Sequence, residues 1–138
     1  MAKLVTGGTG YIGAELAHIL ADRGEEVVLF DIVVNRYRIE DIESKVKVVC
    51  GDLGNFSQVF NVVKDNNITE IYHTGSMLSY MSDLNPWASF RSNVIGSYNV
   101  LEAARLFGVE KMMFTSTLGT FGLQMDEVLT DISIQRPR

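Results

Sequence analysis

Three glycines follow a short apolar segment and open an amphipathic one, and this order constrains the fold of the chain most. The apolar segment 2–6 predicts a strand, and residues 12–23 place their apolar side chains on one helical face. Gly7 and Gly10 lie between the two segments, and Gly13 is the second residue of the amphipathic one. A turn without Cβ atoms lets a pyrophosphate approach the backbone, and the free N–H groups of the following helix meet its negative charge. The pattern therefore predicts a dinucleotide-binding turn.

A second apolar strand, residues 26–31, ends on an acidic residue, Asp31. A carboxylate at this place accepts hydrogen bonds from an adenosine ribose diol and repels a 2′-phosphate, which favours NAD over NADP. Two alternatives stay open. Asp31 could simply cap the next turn, and Arg36 and Arg38 follow closely enough to reach a 2′-phosphate.

Strand and helix patterns alternate along the chain, which predicts an α/β fold. Further strands are predicted at 45–50, 70–74 and 111–115, helices at 55–66 and 86–107, one or two helical turns within 37–44, and a loop after Gly122. This alternation is typical of a Rossmann-type, doubly wound parallel sheet with strand order 3-2-1-4-5. We expect one domain over residues 1–138, with its ligand at the carboxyl ends of the first and fourth strands.

Composition excludes several classes of function. The 138 residues carry 17 acidic and 12 basic side chains, a net charge of −5 without a basic cluster, so nucleic acid is not an expected partner. No apolar run approaches the roughly 20 residues that span a bilayer. One cysteine, Cys50, and two separated histidines predict neither a disulfide nor a metal site. We expect a soluble, cytoplasmic protein.

Small and polar residues follow the third and fourth strands, where a bound dinucleotide would lie. Asp52 and Leu53 could hold the edge and face of an adenine ring, or could cap a helix and fill the core. Thr74, Gly75 and Ser76 leave room for a cofactor and offer hydroxyl groups, although a plain turn explains them too.

Three further positions carry candidate chemistry. Asn93 within the long helix would anchor the active-site backbone if it faces the strand ends, and would otherwise be solvated. The hydroxyls of 115–117 at the end of the fifth strand are candidates for substrate hydrogen bonds, or β-branched residues that end a strand. His73 is expected to be a partly buried strand-end residue rather than a catalyst.

Four segments in order resemble the extended short-chain dehydrogenase/reductases, the group of NAD-dependent sugar-nucleotide epimerases and dehydratases. They are the cofactor motif at 6–13, the adenine-contacting turn at 51–53, the central helix at 93–104 and the strand with the catalytic Ser/Thr at 114–117. The resemblance covers the whole chain. It implies that Gly7, Gly10, Tyr11, Ile12 and Gly13 bind the pyrophosphate, that Asp31 holds the ribose, that Asp52 and Leu53 flank adenine, and that Thr74, Gly75 and Ser76 line the nicotinamide side.

The segments 76–79, 117–122 and 132–138 are similar to the L-threonine 3-dehydrogenase branch of this family. By this resemblance Thr117 hydrogen-bonds the substrate oxygen and Ser79 contacts the substrate. The branch continues into T-x-Y-G-x-x-K, whose tyrosine is the acid/base and whose lysine lowers the tyrosine pKa. None of the five tyrosines of this chain has a lysine four positions later.

The resemblance therefore implies a cofactor domain that stops about three residues before the catalytic tyrosine, and so is inactive alone. The expected activity of the longer enzyme is oxidation of L-threonine to 2-amino-3-oxobutanoate. A nucleotide-sugar epimerase or dehydratase is the near alternative, and a non-catalytic NAD-binding module is the other if the natural chain ends at Arg138. In the family the helix at 86–107 contributes to a dimer interface, which predicts a homodimer.

Overall fold

The computed structural model describes residues 1–122, 129–130, 132–135 and 137, without the side chain of Ser79. Its five strands form one parallel sheet in the order β3-β2-β1-β4-β5, which confirms the predicted topology. The strands are β1 (Ala2–Thr6), β2 (Glu26–Asp31), β3 (Val46–Cys50), β4 (Ile68–His73) and β5 (Lys111–Phe114). The helices are α1 (Tyr11–Asp22), α2 (Phe56–Asp65), α3 (Ser79–Leu84), α4 (Pro86–Phe90) and α5 (Gly96–Phe107), with short 3-10 turns at Arg36–Arg38, Glu43–Lys45 and Leu118–Phe121.

The sheet is covered on both faces, as the near-continuous apolar strands require. On one face Leu4, Val28 and Phe30 pack with residues of α2 and α5. On the other face Val5, Val27 and Leu29 pack with α1 and with the segment that precedes β3. Successive strand residues point to opposite faces, so β1 and β2 contribute side chains to both cores.

The helix ends follow the glycine signals in the sequence. Gly24 (φ +73°) comes directly after the last turn of α1, and Gly108 (φ +66°) ends α5 in the left-handed region. These φ values suit glycine because it lacks the Cβ that makes them costly for other residues. Both predicted stops are confirmed.

The predicted long helix at 86–107 contains a feature that periodicity did not reveal. Residues Arg91–Ile95 form a π-helical turn between α4 and α5. A second difference is α3, which lay in a segment for which we predicted no element. The start of α4 is set by Asn85, whose side-chain oxygen accepts a hydrogen bond from the N–H of Ala88 at 3.0 Å.

No helix in the described part of the chain is both long enough and apolar enough to cross a membrane. The predicted loop after Gly122 falls largely outside the described residues.

The stability of the fold is expected to depend on pH through His18. Its Nδ1 lies 2.7 Å from the Ala14 carbonyl oxygen and its Nε2 lies 2.8 Å from the Asp41 carboxylate. Both partners can only accept hydrogen bonds. The two ring nitrogens can donate at the same time only when the imidazole is protonated, because the neutral ring carries a single N–H. The Ala14 carbonyl and then the Asp41 carboxylate raise the pKa of His18 above 6.5.

A raised folded-state pKa contributes stability that is fully present below pH 6.5 and is lost as the pH rises through the folded-state value. We therefore expect the free energy of unfolding, measured by urea denaturation, to fall across neutral pH. His18→Gln should remove this slope, while Asp22→Asn, at the far end of α1, should keep it. A wild-type profile that is flat from pH 5 to pH 8.5 would contradict the assignment.

Candidate functional site

The candidate site lies where the winding of the sheet reverses, between β1 and β4. Thr6 at the end of β1 is in register with His73 at the end of β4. The chain leaves these neighbouring strands through the glycine turn at 7–10 and through the loop at 74–78. In an open parallel sheet, ligands bind outside the carboxyl ends of the strands at such a point.

The first and third glycines of the turn are required by packing. Gly7 has φ +63°, a conformation that other residues adopt at a cost. A Cβ on Gly13 would lie only 2.1 Å from the carbonyl oxygen of Gly7, so α1 begins in direct contact with the turn. A Cβ on Gly7 would lie 2.7 Å from the Cα of Gly75, because the backbones of the turn and of the 74–78 loop are in contact there.

The amino end of α1 is open. Gly10 is its N-cap, no side chain caps the helix, and a Cβ on Gly10 would meet only the Gly7 oxygen at 3.1 Å. Within the described residues the N–H groups of Tyr11, Ile12 and Gly13 have no hydrogen-bond acceptor. Unpaired N–H groups and the positive end of the helix dipole bind anions. The turn therefore fits an anion such as the pyrophosphate of a dinucleotide, and the contact of these residues with a pyrophosphate stays a prediction.

Asp31 ends β2 beside this turn, and Thr9 fixes its carboxylate. Oδ2 accepts hydrogen bonds from the Thr9 N–H at 3.0 Å and the Thr9 hydroxyl at 2.8 Å. Oδ1 has only a long contact with the N–H of Val33, at 3.4 Å. Asp31 therefore does contact the next turn, but Oδ1 keeps most of its accepting capacity for a ligand. Its contact with a ribose stays a prediction.

Thr9 is a residue of the candidate site that the sequence analysis did not single out. Its side chain is buried, and its hydroxyl also contacts the carbonyl oxygen of Val33 and the N–H of Asn35. It thereby connects the glycine turn to the segment after β2. The signal that was available is a hydroxyl residue inside a glycine turn, since a buried hydroxyl needs a partner.

The two arginines after β2 contact other parts of the protein. Arg36 forms an ion pair with Glu43. The guanidinium of Arg38 lies 4.0 Å above the ring of Tyr11, which is otherwise 80% exposed. Tyr11 is thus held over the first turn of α1 by a cation–π contact.

In the turn after β3, the two adjacent residues predicted to contact adenine have different environments. Leu53 is 9% exposed and packs in the core, which is the alternative that the sequence left open. Asp52 is partly exposed, where its carboxylate accepts the N–H of Gly54 at 2.8 Å and pairs with Arg91 of the π-helical turn. Asn99 of α5 donates to the Leu53 carbonyl oxygen at 2.8 Å and holds the turn. A contact of either residue with adenine stays a prediction.

Asn93 faces the strand ends and anchors the loop after β4, in agreement with one of its two predicted placements. Its Oδ1 accepts the N–H of Met77 at 2.7 Å, and its Nδ2 donates to the Met77 carbonyl oxygen at 2.9 Å. Thr74 donates to the Thr6 carbonyl oxygen at 2.7 Å, and Ser76 is exposed. Ser79 begins α3, and its predicted substrate contact falls on a side chain outside the described ones.

Thr117 follows β5 and begins the 3-10 turn at Leu118–Phe121. Its hydroxyl oxygen accepts the N–H of Gly119 at 3.1 Å, and its own proton has no acceptor among the described residues. The residue is exposed. This is the hydrogen-bonding state that a donor to a substrate oxygen requires.

The chain belongs to the NAD dependent epimerase/dehydratase family, whose model matches residues 3–137. It is 34% identical over 86% of its length to a UDP-glucose 4-epimerase of Azospirillum brasilense, covering 34% of that protein. It is 31% identical over 98% of its length to the mitochondrial L-threonine 3-dehydrogenase of Sus scrofa, covering 36% of that protein.

Solved structures agree with this family and with the fold. The UDP-glucose 4-epimerase of Thermus thermophilus in complex with NAD has a TM-score of 0.88 and 31% identity, with 99% of this chain and 45% of that one covered. The chain thus spans less than half the length of these relatives. The resemblance, the Rossmann-type fold and NAD as the cofactor of the family are confirmed.

Proposed function

We propose that this chain is the NAD-binding domain of an NAD-dependent oxidoreductase that acts on a secondary alcohol. The observation that carries the proposal is the open amino end of α1 beside an ordered carboxylate. Among the described residues the N–H groups of Tyr11, Ile12 and Gly13 have no acceptor and are open to a pyrophosphate, and Thr9 fixes the carboxylate of Asp31, which would accept hydrogen bonds from the adenosine ribose. The family model that spans residues 3–137 supports the same cofactor.

Bound NAD would supply the hydride acceptor. The residues of this chain would bind and orient it: Gly7, Gly10 and the first turn of α1 hold the pyrophosphate, and Asp31 selects the unphosphorylated ribose. The loop at 74–78, fixed by Asn93, would border the nicotinamide side. Thr117 would donate its hydroxyl proton to the substrate oxygen and orient the carbon that gives up the hydride.

L-threonine is the substrate that we propose first. The segments 76–79, 117–122 and 132–138 resemble the threonine dehydrogenase branch. The mitochondrial L-threonine 3-dehydrogenases of Sus scrofa and Bos taurus align over 98% of this chain at 31% and 32% identity. The product would be 2-amino-3-oxobutanoate.

UDP-glucose is the second candidate, because UDP-glucose 4-epimerases are among the relatives with the highest identity to this chain. The two activities differ in their redox balance. Oxidation of threonine converts one NAD to NADH for each turnover, whereas epimerisation at a hydroxyl-bearing carbon is redox neutral and releases no net NADH.

The test uses the full-length protein, because no tyrosine within residues 1–138 has a lysine four positions later. NADH formation is followed at 340 nm with L-threonine, and conversion of UDP-glucose to UDP-galactose is followed by chromatography. Threonine-dependent NADH formation supports the first candidate, and interconversion of the sugars without NADH overturns it in favour of the second. Binding of NAD with neither activity would overturn both candidates, and leaves another nucleotide-sugar substrate or a non-catalytic module.

Asp31 is expected to set the preference for NAD over NADP. Asp31→Ala removes acceptors for the ribose diol, and a hydrogen bond to a charged group is worth enough that NAD should bind about tenfold more weakly. NADP affinity should be unchanged or improve, because the repulsion of its 2′-phosphate is lost. Titration calorimetry with both cofactors measures this, and Asp22→Ala at the other end of α1 is the control. Equal affinities of the wild type for NAD and NADP would contradict the role of Asp31.

We also propose a homodimer formed through the helices at 86–107. One face of these helices is exposed and apolar, with Trp87, Phe90, Val94, Tyr98 and Leu101 each at least 46% exposed. Contiguous apolar surface of this kind marks an interaction site. Sedimentation of the full-length protein should show a dimer that Leu101→Asp dissociates. A cytoplasmic location and the lack of nucleic-acid and membrane partners stay predictions.

A further inference from the structure

His73 is buried at the end of β4, where its ring contacts two hydroxyl groups. Its side chain is 1% exposed, rather than partly buried as the sequence suggested. Nδ1 lies 2.6 Å from the hydroxyl oxygen of Thr6, and Nε2 lies 3.0 Å from that of Ser97 on α5. The ring therefore joins β1, β4 and α5 directly beneath the site.

The partners fix the position of each proton. The Ser97 hydroxyl donates to the Asn93 carbonyl oxygen at 2.6 Å, so it can only accept from the histidine, and Nε2 carries the proton. Burial lowers the pKa of His73 to about 4, so the ring is neutral near pH 7 and Nδ1 is an acceptor. Nδ1 accepts the proton of Thr6, whose oxygen in turn accepts the N–H of Gly75 at 3.1 Å.

Four hydrogen bonds consequently run in one direction, from Gly75 through Thr6, His73 and Ser97 to the carbonyl oxygen of Asn93. Hydrogen bonds aligned in this way polarise and strengthen one another inside a protein. We call this the His73 chain. Its first donor is a backbone group of the 74–78 loop, and its last acceptor lies in the π-helical turn.

Both ends of the His73 chain act on the same loop. At one end Thr6 holds the N–H of Gly75, and Gly75 is in backbone contact with Gly7 of the glycine turn. At the other end the residue that accepts from Ser97 is Asn93, whose amide holds both backbone groups of Met77. A shift of His73 would therefore move the loop relative to the turn that binds the pyrophosphate.

We propose that His73, as the neutral Nε2–H tautomer, is a positioning residue that holds residues 74–77 in the arrangement that receives the nicotinamide half of the cofactor. The proposal rests on the proposed binding of NAD to this site. Its alternative is a polar group of the core that contributes to stability and leaves cofactor affinity unaffected.

The first experiment measures NAD affinity by calorimetry in the full-length protein and its variants. Ser97→Ala leaves the Nε2–H of His73 without an acceptor, and Thr6→Val leaves Nδ1 without a donor and the Gly75 N–H without an acceptor. A buried polar group that loses its partner carries a penalty large enough that each variant should bind NAD about tenfold more weakly. Thr6→Ser should restore the affinity. Thr69→Val, which removes a hydroxyl at the opposite end of β4, is the control.

Two further readouts separate positioning from stability. In protein labelled with ¹⁵N-histidine, the ring of His73 should show a protonated Nε2 and an unprotonated Nδ1. Hydrogen exchange measured by mass spectrometry should become faster over residues 74–78 in Ser97→Ala and Thr6→Val, and not in Thr69→Val. The histidine NMR measurement is made on the wild type, so it tests the proposal even if a variant fails to fold.

The proposal is overturned if His73 carries its proton on Nδ1, or if the folded variants bind NAD with unchanged affinity while their free energy of unfolding falls. If the wild type does not bind NAD, the proposed function fails by itself. The exchange of residues 74–78 then still decides the role of His73, because a loop unaffected by Ser97→Ala and Thr6→Val overturns the proposal.

Discussion

Replacing Gly13 with alanine is expected both to weaken NAD binding strongly and to destabilise the fold. The new Cβ would lie 2.1 Å from the Gly7 carbonyl oxygen and 2.8 Å from the Cα of Gly8, and neither backbone atom can rotate away as a flexible side chain would. Overpacking of this kind costs about 1–3 kcal/mol of unfolding free energy. The first turn of α1 must also move, and loss of two charge-assisted hydrogen bonds to the pyrophosphate weakens binding about 100-fold.

Two other glycines separate these effects. A Cβ on Gly24 meets nothing within 4 Å, so Gly24→Ala should lower stability by about 1 kcal/mol through its φ of +73° and leave NAD affinity unchanged. A Cβ on Gly10 would lie 3.1 Å from the Gly7 oxygen, so Gly10→Ala requires a smaller shift than Gly13→Ala and should lower NAD affinity with a smaller loss of stability. Urea denaturation and calorimetry on the three variants measure both quantities. Wild-type NAD affinity in a folded Gly13→Ala protein would exclude α1 as the phosphate site.

The sequence predicted the sheet well because each strand is short, apolar and bounded by glycine or polar residues. Parallel pairing and the order of the strands then follow from the alternation with helices and from right-handed crossovers. The predicted strand boundaries were less accurate: β4 begins at Ile68 rather than Glu70, because Ile68 pairs with Ala2 of the neighbouring strand. That pairing is a tertiary contact with no local signal.

Helix α3 and the π-helical turn were not predicted, because they too lack a local signal in the sequence. Tyr80, Met81 and Leu84 of α3 are exposed, so they form no stripe that faces the core. The π-helical turn appears where Arg91 reaches Asp52 and Asn93 reaches Met77, and both contacts join residues that are distant in sequence. π-Helical turns often occur at functional sites.

The residues of the candidate site also differ in whether the local sequence could predict them. Residues that act through the backbone, such as Gly7 and Gly13, were predictable because a tight turn admits few residue types. Side chains that act through others were not, because a buried hydroxyl such as that of Thr6 or Thr9 looks like an ordinary strand or turn residue until its partners are known. Leu53, in contrast, lies in the core, as expected of an apolar residue.

Among substitutions within residues 1–138 that leave NAD binding unchanged, Thr117→Val is expected to cause the largest loss of turnover of the full-length enzyme. Valine keeps the shape of threonine and removes the hydroxyl, whose oxygen accepts from Gly119 and whose proton has no acceptor in the described part of the chain. Removing one such donor to a reacting oxygen typically lowers kcat by about 10²–10³-fold. The dissociation constant of NAD should stay at its wild-type value, since Thr117 belongs to the end of β5 and not to the glycine turn.

Two further variants test whether this loss is chemical. Thr117→Ser keeps the donor and should retain most of the turnover. Thr120→Val removes a hydroxyl that donates to the Thr117 carbonyl oxygen at 2.9 Å, so it weakens the same 3-10 turn without removing the proposed donor. If Thr120→Val lowers kcat as strongly as Thr117→Val does, the hydroxyl of Thr117 supports the turn and the donor to the substrate must be sought in another residue. A large effect confined to Thr117→Val places the reacting oxygen at the carboxyl end of β5.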